Sequence, residues 1–452
     1  MVSGVDRAAL QDITVRERAR FIERTPRSAQ LLRRALAHQP HGVPMAWMAG
    51  LYPMPPPFVA GGDGARFRDV DGNEYLDFNV SDLSMCAGFA PPAVTGALAR
   101  QAARGTHFLL PTEDAVWVAE ELARRVGLPF WQFTLSASGA NTEVLRLARL
   151  ATGRERLIVF GGHYHGHLDE TLVREEDGRS QPEGEGLPAR AARDTTVLPF
   201  NDLGALEREL GTRTVALVLT EPALTNCNVV LPEPGFLAAV RELTQRTGTL
   251  LCIDEAHTFQ FAYGGLYRDW GLAADAVVLG KGFGTGVSFG VYGLSEALGR
   301  LHAEHLAVDG KRTGLACGGT TFASALALAV ARAALAELLR PEDYARIGAL
   351  GTRLADGLER LMDARRLPWR AFRLGPRSGW CLAPELPRDG AQARASLDFE
   401  FIDARRLFMA NRGVWDAVGS AGPQVSLVHD GADVERYLSL AAEFLDQIVV
   451  RA

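Results

Sequence analysis

Between about residue 90 and residue 330 the chain repeats one pattern, a short apolar run followed by a helical stretch. The runs are "FWQFTLS", "RLIVFGG", "VALVLTEP", "LLCIDEA" and "AVVLGKG". Short Val/Leu/Ile strands separated by helices predict an α/β fold. Its sheet is mostly parallel, because each parallel pair needs a long crossover, and the crossover helices cover both faces. Ligands of such sheets bind at the carboxyl ends of the strands. The residues that follow each run are therefore the candidates for chemistry.

The flanking segments have a different texture. Residues 1 to about 40 read as one or two Arg-rich amphipathic helices, followed by "PMPPPFVAGG", a proline-rich arm with no regular structure. "GARFRDVDGNEYLDF" predicts a hairpin around Asp71-Gly72-Asn73. "REEDGRSQPEGEGLPARAARD" is polar and rich in Gly and Pro, and predicts an exposed loop. Ala323 to Leu339 is interrupted by Arg332 and Glu337, so it predicts a packed helix and not a membrane span. The expected division is 1–90 (helical arm and hairpin, part of a smaller domain), 91–322 (large domain) and 323–452 (the rest of the smaller domain).

Composition removes several function classes. A net charge of -6, mixed along 452 residues, offers no basic stripe to nucleic acid. The N-terminus shows no charged-then-apolar leader pattern. Five scattered cysteines (Cys86, Cys227, Cys252, Cys317 and Cys381) contain no C-x-x-C and suit reduced thiols. The expectation is a cytoplasmic protein with no membrane or nucleic-acid partner.

Two strings invite a metal or nucleotide reading. "DEAH" at 254–257 is a nucleotide-hydrolysis box in helicases, but no G-x-x-x-x-G-K-[ST] precedes it. His163, His165 and His167 alternate in "GGHYHGH" and would share a strand face, yet no H-E-x-x-H or nearby acidic ligand accompanies them. They are read as turn residues, and no metal is expected. Lysine usage is more informative. Of 48 Lys and Arg residues only Lys281 and Lys311 are lysine. In a chain that uses arginine wherever a positive charge serves, a surviving lysine marks a place for amine chemistry, which guanidinium cannot perform. Lys311 lies in the polar "AVDGKRTG" and suits chance survival, whereas Lys281 ends an apolar run in a glycine-rich turn. Asp254 and Lys281 both follow strands, on the same sheet edge. A lysine amine and a buried carboxylate there have a joint use in holding pyridoxal phosphate: the lysine as a Schiff base, the carboxylate on the pyridine nitrogen. The alternative is a structural ion pair, costly when buried without further hydrogen bonds.

These strings also carry a family resemblance. From about Gly64 to the C-terminus the chain resembles the class III aminotransferases of the fold-type-I pyridoxal-phosphate superfamily, and most of all the glutamate-1-semialdehyde aminomutase branch. The resemblance rests on "DVDGNEYLDF", "RLARLATGR", "GGHYHGH", "LPFNDLGALE", "LTEPALTNCNVVLPEPGFLAAVRELTQRTGTLLCIDEAHT", "FAYGG", "DAVVLGKGFGTGVSFGVYG" and "GGTTFASALALA". It implies a large cofactor-binding domain with a mostly parallel sheet of the seven-stranded type and a smaller α+β domain. It implies that Lys281 is the Schiff-base lysine, Asp254 the pyridine partner, Tyr164 the aromatic stacked on the ring and Asn226 a contact near the ring hydroxyl. It also implies that Thr320 reaches the phosphate of a neighbouring subunit, hence a homodimer. For the phosphate loop, counting back from Arg146 places Ser136-Ala137-Ser138-Gly139-Ala140 at the family's S-G-T-E-A, with Ala137 and Ser138 as contacts; a register on Ser138-Gly139-Ala140 is the alternative.

The chain departs from the aminomutase pattern on the substrate side. Trp47 and Met48 in "HGVPMAWM" occupy the area of its carboxylate-holding arginine, Asp82 replaces an aromatic, Gln260 falls near another expected arginine, and the late glutamate falls near Ala421. Asp82 is read either as a pocket acid or as a surface or capping carboxylate. Arg377 is the candidate to fill the vacated place. These departures predict a pyridoxal-phosphate aminotransferase moving nitrogen from an amine or amino-acid donor to a keto acceptor, with poor glutamate-1-semialdehyde aminomutase activity. The alternatives are an intramolecular aminomutase, a racemase or a decarboxylase; outside enzymes, a catalytically silent binding protein of the same fold.

Overall fold

The computed structural model describes residues 4–305, 314–419 and 421–449. They form two compact units. The larger comprises Pro92–Tyr344 and Pro387–Arg394; the other takes the chain up to Pro91, Ala345–Leu386 and the chain from Ala395 onward.

The larger unit is built on a seven-stranded sheet. In spatial order its strands are Phe130–Thr134, Gly290–Leu294, Ala276–Leu279, Leu250–Asp254, Val215–Thr220, Arg156–Phe160 and Thr195–Leu198. Gly290–Leu294 runs antiparallel to both its neighbours, and the other six are parallel to one another. Every predicted apolar run is a strand, and two strands beyond them, 195–198 and 290–294, complete the sheet. The central strands Val215–Thr220, Ala276–Leu279 and Gly290–Leu294 are buried along their whole length, as expected where helices cover both faces. Leu147, Val159, Leu217, Cys252, Val278 and Tyr292 belong to one core cluster.

Helix Ala137–Thr152 packs on this sheet. It starts where it does because Ser136 is extended and its hydroxyl accepts from Gly139 N at 3.2 Å, while the Ser136 carbonyl receives Thr134 Oγ1 at 2.8 Å. Gly153, in the left-handed region, ends it. The helical run after residue 323 belongs to this larger unit and not to the C-terminal domain expected of it. Helix Ala325–Ala333 packs on helices Pro92–Ala102 and Glu113–Val126, and continues as a π turn over Ala334–Leu338. The buried Arg125 guanidinium takes the carbonyls of Leu335 and Leu339, which lets the helix end inside the unit. Part of the expected loop is likewise ordered: Val173–Glu176 and Arg179–Pro182 form a hairpin.

The other unit carries a four-stranded sheet in the order Val59–Asp63, Arg66–Asp69, Glu74–Asp77 and Val414–Trp415. The first of these strands includes the end of the predicted irregular arm. The predicted hairpin is present, and Asp69 fixes its turn by accepting from Asp71 N (3.0 Å) and Asn73 N (2.8 Å). Helices Arg7–Arg24 and Pro26–Ala35 fill the predicted N-terminal helical region. After Glu74–Asp77 the backbone turns left-handed over four non-glycine residues, Val80, Ser81, Asp82 and Leu83, with φ of 52°, 46°, 54° and 68°. Each costs about 1–2 kcal/mol in this region. The buried Asp77 carboxylate holds the turn, accepting from Asn79 N (2.9 Å), Val80 N (3.0 Å) and Ser81 N (3.1 Å). Burial pushes its pKa up to about 7, against the pull of these N–H groups.

A second buried carboxylate stabilises the same unit. Asp416 accepts from Arg405 Nε (2.7 Å), Tyr437 Oη (3.0 Å) and Ala417 N (2.9 Å). Asp416→Ala leaves the buried guanidinium without its anion and should cost about 3–5 kcal/mol, read as a lower urea midpoint at unchanged slope. A midpoint near the parent value would show that the pair contributes nothing net.

Candidate active site

Parallel strands bring the residues that follow them to one edge, and there side-chain hydrogen bonds tie Asp254 to the helix that starts at Ala137 and to the "HYHGH" loop. Asp254 is the last residue of its strand and only 3% exposed. Its Oδ1 accepts from Ala256 N at 3.0 Å. Its Oδ2 accepts from Asn141 Nδ2 at 2.8 Å and lies 2.9 Å from His165 Nδ1. Asn141 comes from the first turns of helix Ala137–Thr152 and also donates to the His165 carbonyl at 2.9 Å. Three segments thus hold one carboxylate. Asn141 and His165 were not singled out for this role by sequence, because the contacts span 113 and 89 residues. The alternation in "GGHYHGH" was the one available signal for His165.

The His163 and His165 rings stack with centroids 5.1 Å apart, but their nitrogens face different partners. The His163 ring lies between the carbonyls of Phe160 (2.8 Å) and Thr171 (2.9 Å), His165 faces Asp254, and His167 is exposed. Burial, followed by the neighbouring His165, pushes the His163 pKa down to about 4, so its ring is neutral at pH 7. Among the described residues no three His, Cys, Asp or Glu side chains gather around a metal-sized space.

Lys281 opens the turn after Ala276–Leu279, half-buried and with φ of 54°. Gly280 before it lies against the start of the Ala137 helix: a methyl there would sit 3.0 Å from Ala137 Cβ. Two further close approaches shape the same helix start. A methyl on Gly290 would run into the Ser136 carbonyl and stand 2.7 Å from Ala137 N. A methyl on Gly166 (φ 93°) would stand 2.7 Å from Ser138 Cβ, and next to Gly166 the His167 N–H donates to Ser138 Oγ at 3.1 Å. The lysine turn, the "HYHGH" loop and the helix start are therefore packed backbone to backbone. With Ser136 as the cap, the first N–H groups of the helix are those of Ala137 and Ser138, which have no intrahelical acceptor. An exposed helix start of this kind suits a phosphate dianion.

Tyr164 is 43% exposed in the "HYHGH" loop. Asn226 is half-buried after strand Val215–Thr220, and Thr320 is exposed in the turn ahead of helix Ala325–Ala333. Gln260 is buried, its amide donating to the His257 carbonyl at 2.5 Å. The substrate-side candidates lie in the other unit. Trp47 and Met48 are exposed in the 3-10 turn Ala46–Gly50, and Asp82 is half-buried within the left-handed turn. Arg377 is buried in strand Arg377–Cys381, its Nε donating to the Ala421 carbonyl at 2.6 Å. Lys311 lies outside the described residues.

The chain matches known proteins along most of its length. The family described as Aminotransferase class-III matches residues 49–394. A glutamate-1-semialdehyde 2,1-aminomutase of Chloroflexus aggregans is 35% identical, covering 87% of this chain and 91% of that protein. A solved glutamate-1-semialdehyde-aminomutase of Pseudomonas aeruginosa PAO1, in complex with PMP, superposes with a TM-score of 0.94 at 37% identity over 99% of this chain and 100% of that one. An omega-transaminase of Sphaerobacter thermophilus superposes with a TM-score of 0.84 at 29% identity, over 93% and 97%. These relatives place the chain in fold type I and give it pyridoxal phosphate as cofactor. The residues present fit that group: a buried carboxylate for the pyridine nitrogen, a lysine on the same sheet edge and a glycine-packed helix start for the phosphate.

That fit makes one prediction. Gly290→Ala forces the Ser136–Ala137 backbone to move and should weaken pyridoxal-phosphate binding by about tenfold or more, since overpacking against backbone costs about 1–3 kcal/mol. Titration of apoenzyme with cofactor checks it, and unchanged affinity would show that the helix start does not hold the phosphate. By sequence and by structure, this chain belongs to the class III aminotransferase family.

Proposed function

We propose that this chain relocates an amino group on pyridoxal phosphate within a single carbon skeleton, in the manner of a glutamate-1-semialdehyde 2,1-aminomutase. One observation carries the reading: relatives of that name match nearly the full chain in sequence and in fold. It turns the balance from the intermolecular aminotransferase expected from the substrate-side residues. When bound, the cofactor supplies an electron sink for the pair left on a substrate carbon that loses a proton. Lys281 would attach the cofactor, and its freed amine would take that proton and return it on the other side of the amino nitrogen, a 1,3 shift. Asp254 keeps the pyridine nitrogen protonated, and Asn141 and His165 hold the Asp254 carboxylate in place. Ala137 and Ser138 N–H groups would hold the phosphate, Tyr164 and Asn226 would serve the ring and its hydroxyl side, and Thr320 would serve a second copy of the chain in a homodimer.

Transfer between two molecules is the second reading. The absence of arginine from His41–Gly50 favours it, because a substrate carboxylate there finds no bidentate partner. The experiment is to give holoenzyme glutamate-1-semialdehyde with no second substrate. Formation of 5-aminolevulinate supports the aminomutase reading. Turnover only when a separate amine donor and keto acceptor are supplied overturns it in favour of the aminotransferase.

A further inference from the structure

Two features of the sequence have no part in the chemistry so far: His257 of "DEAH", and Gln260, which falls near an expected arginine. Both are buried, and they form one polar cluster with Glu221 and Thr225, which are buried as well. Glu221 and Thr225 follow strand Val215–Thr220; His257 and Gln260 follow strand Leu250–Asp254, its neighbour in the sheet. Four polar side chains inside a fold are costly unless their hydrogen bonds are arranged for them.

Thr225 is the centre of the cluster. Its backbone N–H donates to Glu221 Oε2 at 3.1 Å, and its hydroxyl donates to the same oxygen. Thr225 Oγ1 also lies 2.7 Å from His257 Nδ1. A threonine hydroxyl has one proton. With that proton directed at Glu221, His257 Nδ1 must be the donor in the second contact, which fixes where the ring carries its proton. Gln260 Nε2 donates to the His257 carbonyl at 2.5 Å and so holds the backbone from which the ring projects.

This link joins two loops with different duties. Leu224 and Val230 exchange both N–H···O bonds, each 3.0 Å, and close a short loop that contains Asn226. Thr225 directly precedes Asn226. His257 lies three residues after Asp254, just beyond the turn in which Ala256 N donates to Asp254 Oδ1. The Thr225–His257 bond is therefore a cross-tie between the Asn226 loop and the turn that follows Asp254. We propose that Thr225 and His257 are positioning residues that set Asn226, on the ring hydroxyl side, at a fixed place relative to Asp254, with Glu221 orienting the Thr225 hydroxyl. The inference rests on the place given to Asn226 above and not on the aminomutase reading, because any reaction on pyridoxal phosphate here needs the ring held.

The test is a pH titration of the visible absorbance band of the cofactor-loaded enzyme, with cofactor titrated into apoenzyme alongside. An amide donor on the ring oxygen favours the oxygen without its proton, and so lowers the pH at which the attached cofactor loses one. Thr225→Val removes the cross-tie and no titratable group. It should raise the midpoint of the band by about one pH unit, the size of one lost hydrogen bond to a charged group, and weaken the cofactor about tenfold. Asn226→Ala should do the same, and Thr225→Ser, which keeps the hydroxyl, should stay at the parent values. His257→Leu breaks the link from its other end while Thr225 keeps Glu221, and it should also raise the midpoint; it carries the test should Thr225→Val fail to fold. A bond that is merely structural would lower the urea midpoint of Thr225→Val and leave the absorbance midpoint unmoved, which overturns the proposal. An unmoved absorbance midpoint in Asn226→Ala overturns the place given to Asn226, and the positioning role with it. A shift in Asn226→Ala without one in Thr225→Val or His257→Leu overturns the positioning role alone. None of these results depends on whether 5-aminolevulinate forms.

Discussion

Lys281→Ala should lower turnover by a factor of about 10⁴ or more while leaving the fold in place. On the proposed roles two functions would be lost together: covalent attachment of the cofactor, and the amine that carries a proton across the amino nitrogen, alone worth about 10²–10⁴. The fold should survive because the side chain is only half-buried, and alanine meets the same left-handed backbone as lysine does, φ 54°. Lys281→Arg should be as inactive, since guanidinium neither condenses with an aldehyde nor gives up a proton near neutral pH. The contrast is Lys311→Arg, expected to be nearly neutral. Three measurements check this: steady-state rate, the visible absorbance band of attached cofactor, and the urea midpoint. Turnover within a few-fold of the parent would remove Lys281 from the chemistry. A collapsed midpoint would instead make the lysine structural.

What was legible in the sequence followed local rules. The five apolar runs are strands because period and composition identify a buried strand without reference to anything distant. Lys281 and Asp254 could be paired because parallel strands send their carboxyl ends to one edge. The failures are the opposite kind. Strand Gly290–Leu294 is not among the predicted runs because glycines interrupt it, yet one of them, Gly290, is what lets Ser136 approach. The 173–182 hairpin is mostly exposed and so carries no apolar alternation to detect. Helix Ala325–Ala333 went to the wrong domain because its partners lie some 200 residues earlier in the chain, which no local pattern encodes. The turn over Val80–Leu83 has no glycine to announce it; a side-chain carboxylate three residues before Val80 imposes it.

Asp254→Asn isolates the charge from the shape. Turnover should fall by about 10²–10³, the usual cost of removing one preorganised electrostatic partner, while the cofactor stays attached through Lys281. Asparagine fits the volume but cannot satisfy the surroundings. Asp254 receives Ala256 N on one oxygen and Asn141 Nδ2 on the other. An amide offers one oxygen, so whichever way it turns, its NH₂ faces another donor. His165 can relieve its own contact by exchanging tautomers. Asn141 has no such relief, because flipping its amide to offer Oδ1 gives up the 2.9 Å bond to the His165 carbonyl. One buried donor is left without an acceptor, at about 1–3 kcal/mol of stability. The expected variant is therefore slower, slightly less stable and still coloured. Asn141→Asp makes the complementary test: paired with Asp254→Asn it restores an acceptor opposite the new amide but gives up the bond to the His165 carbonyl, so it should recover only part of the stability. It should recover little of the rate, because the anion then stands one side chain away from where the pyridine nitrogen needs it. Recovery of both would mean that any nearby negative charge suffices, and that the position of Asp254 at the end of its strand carries no catalytic weight.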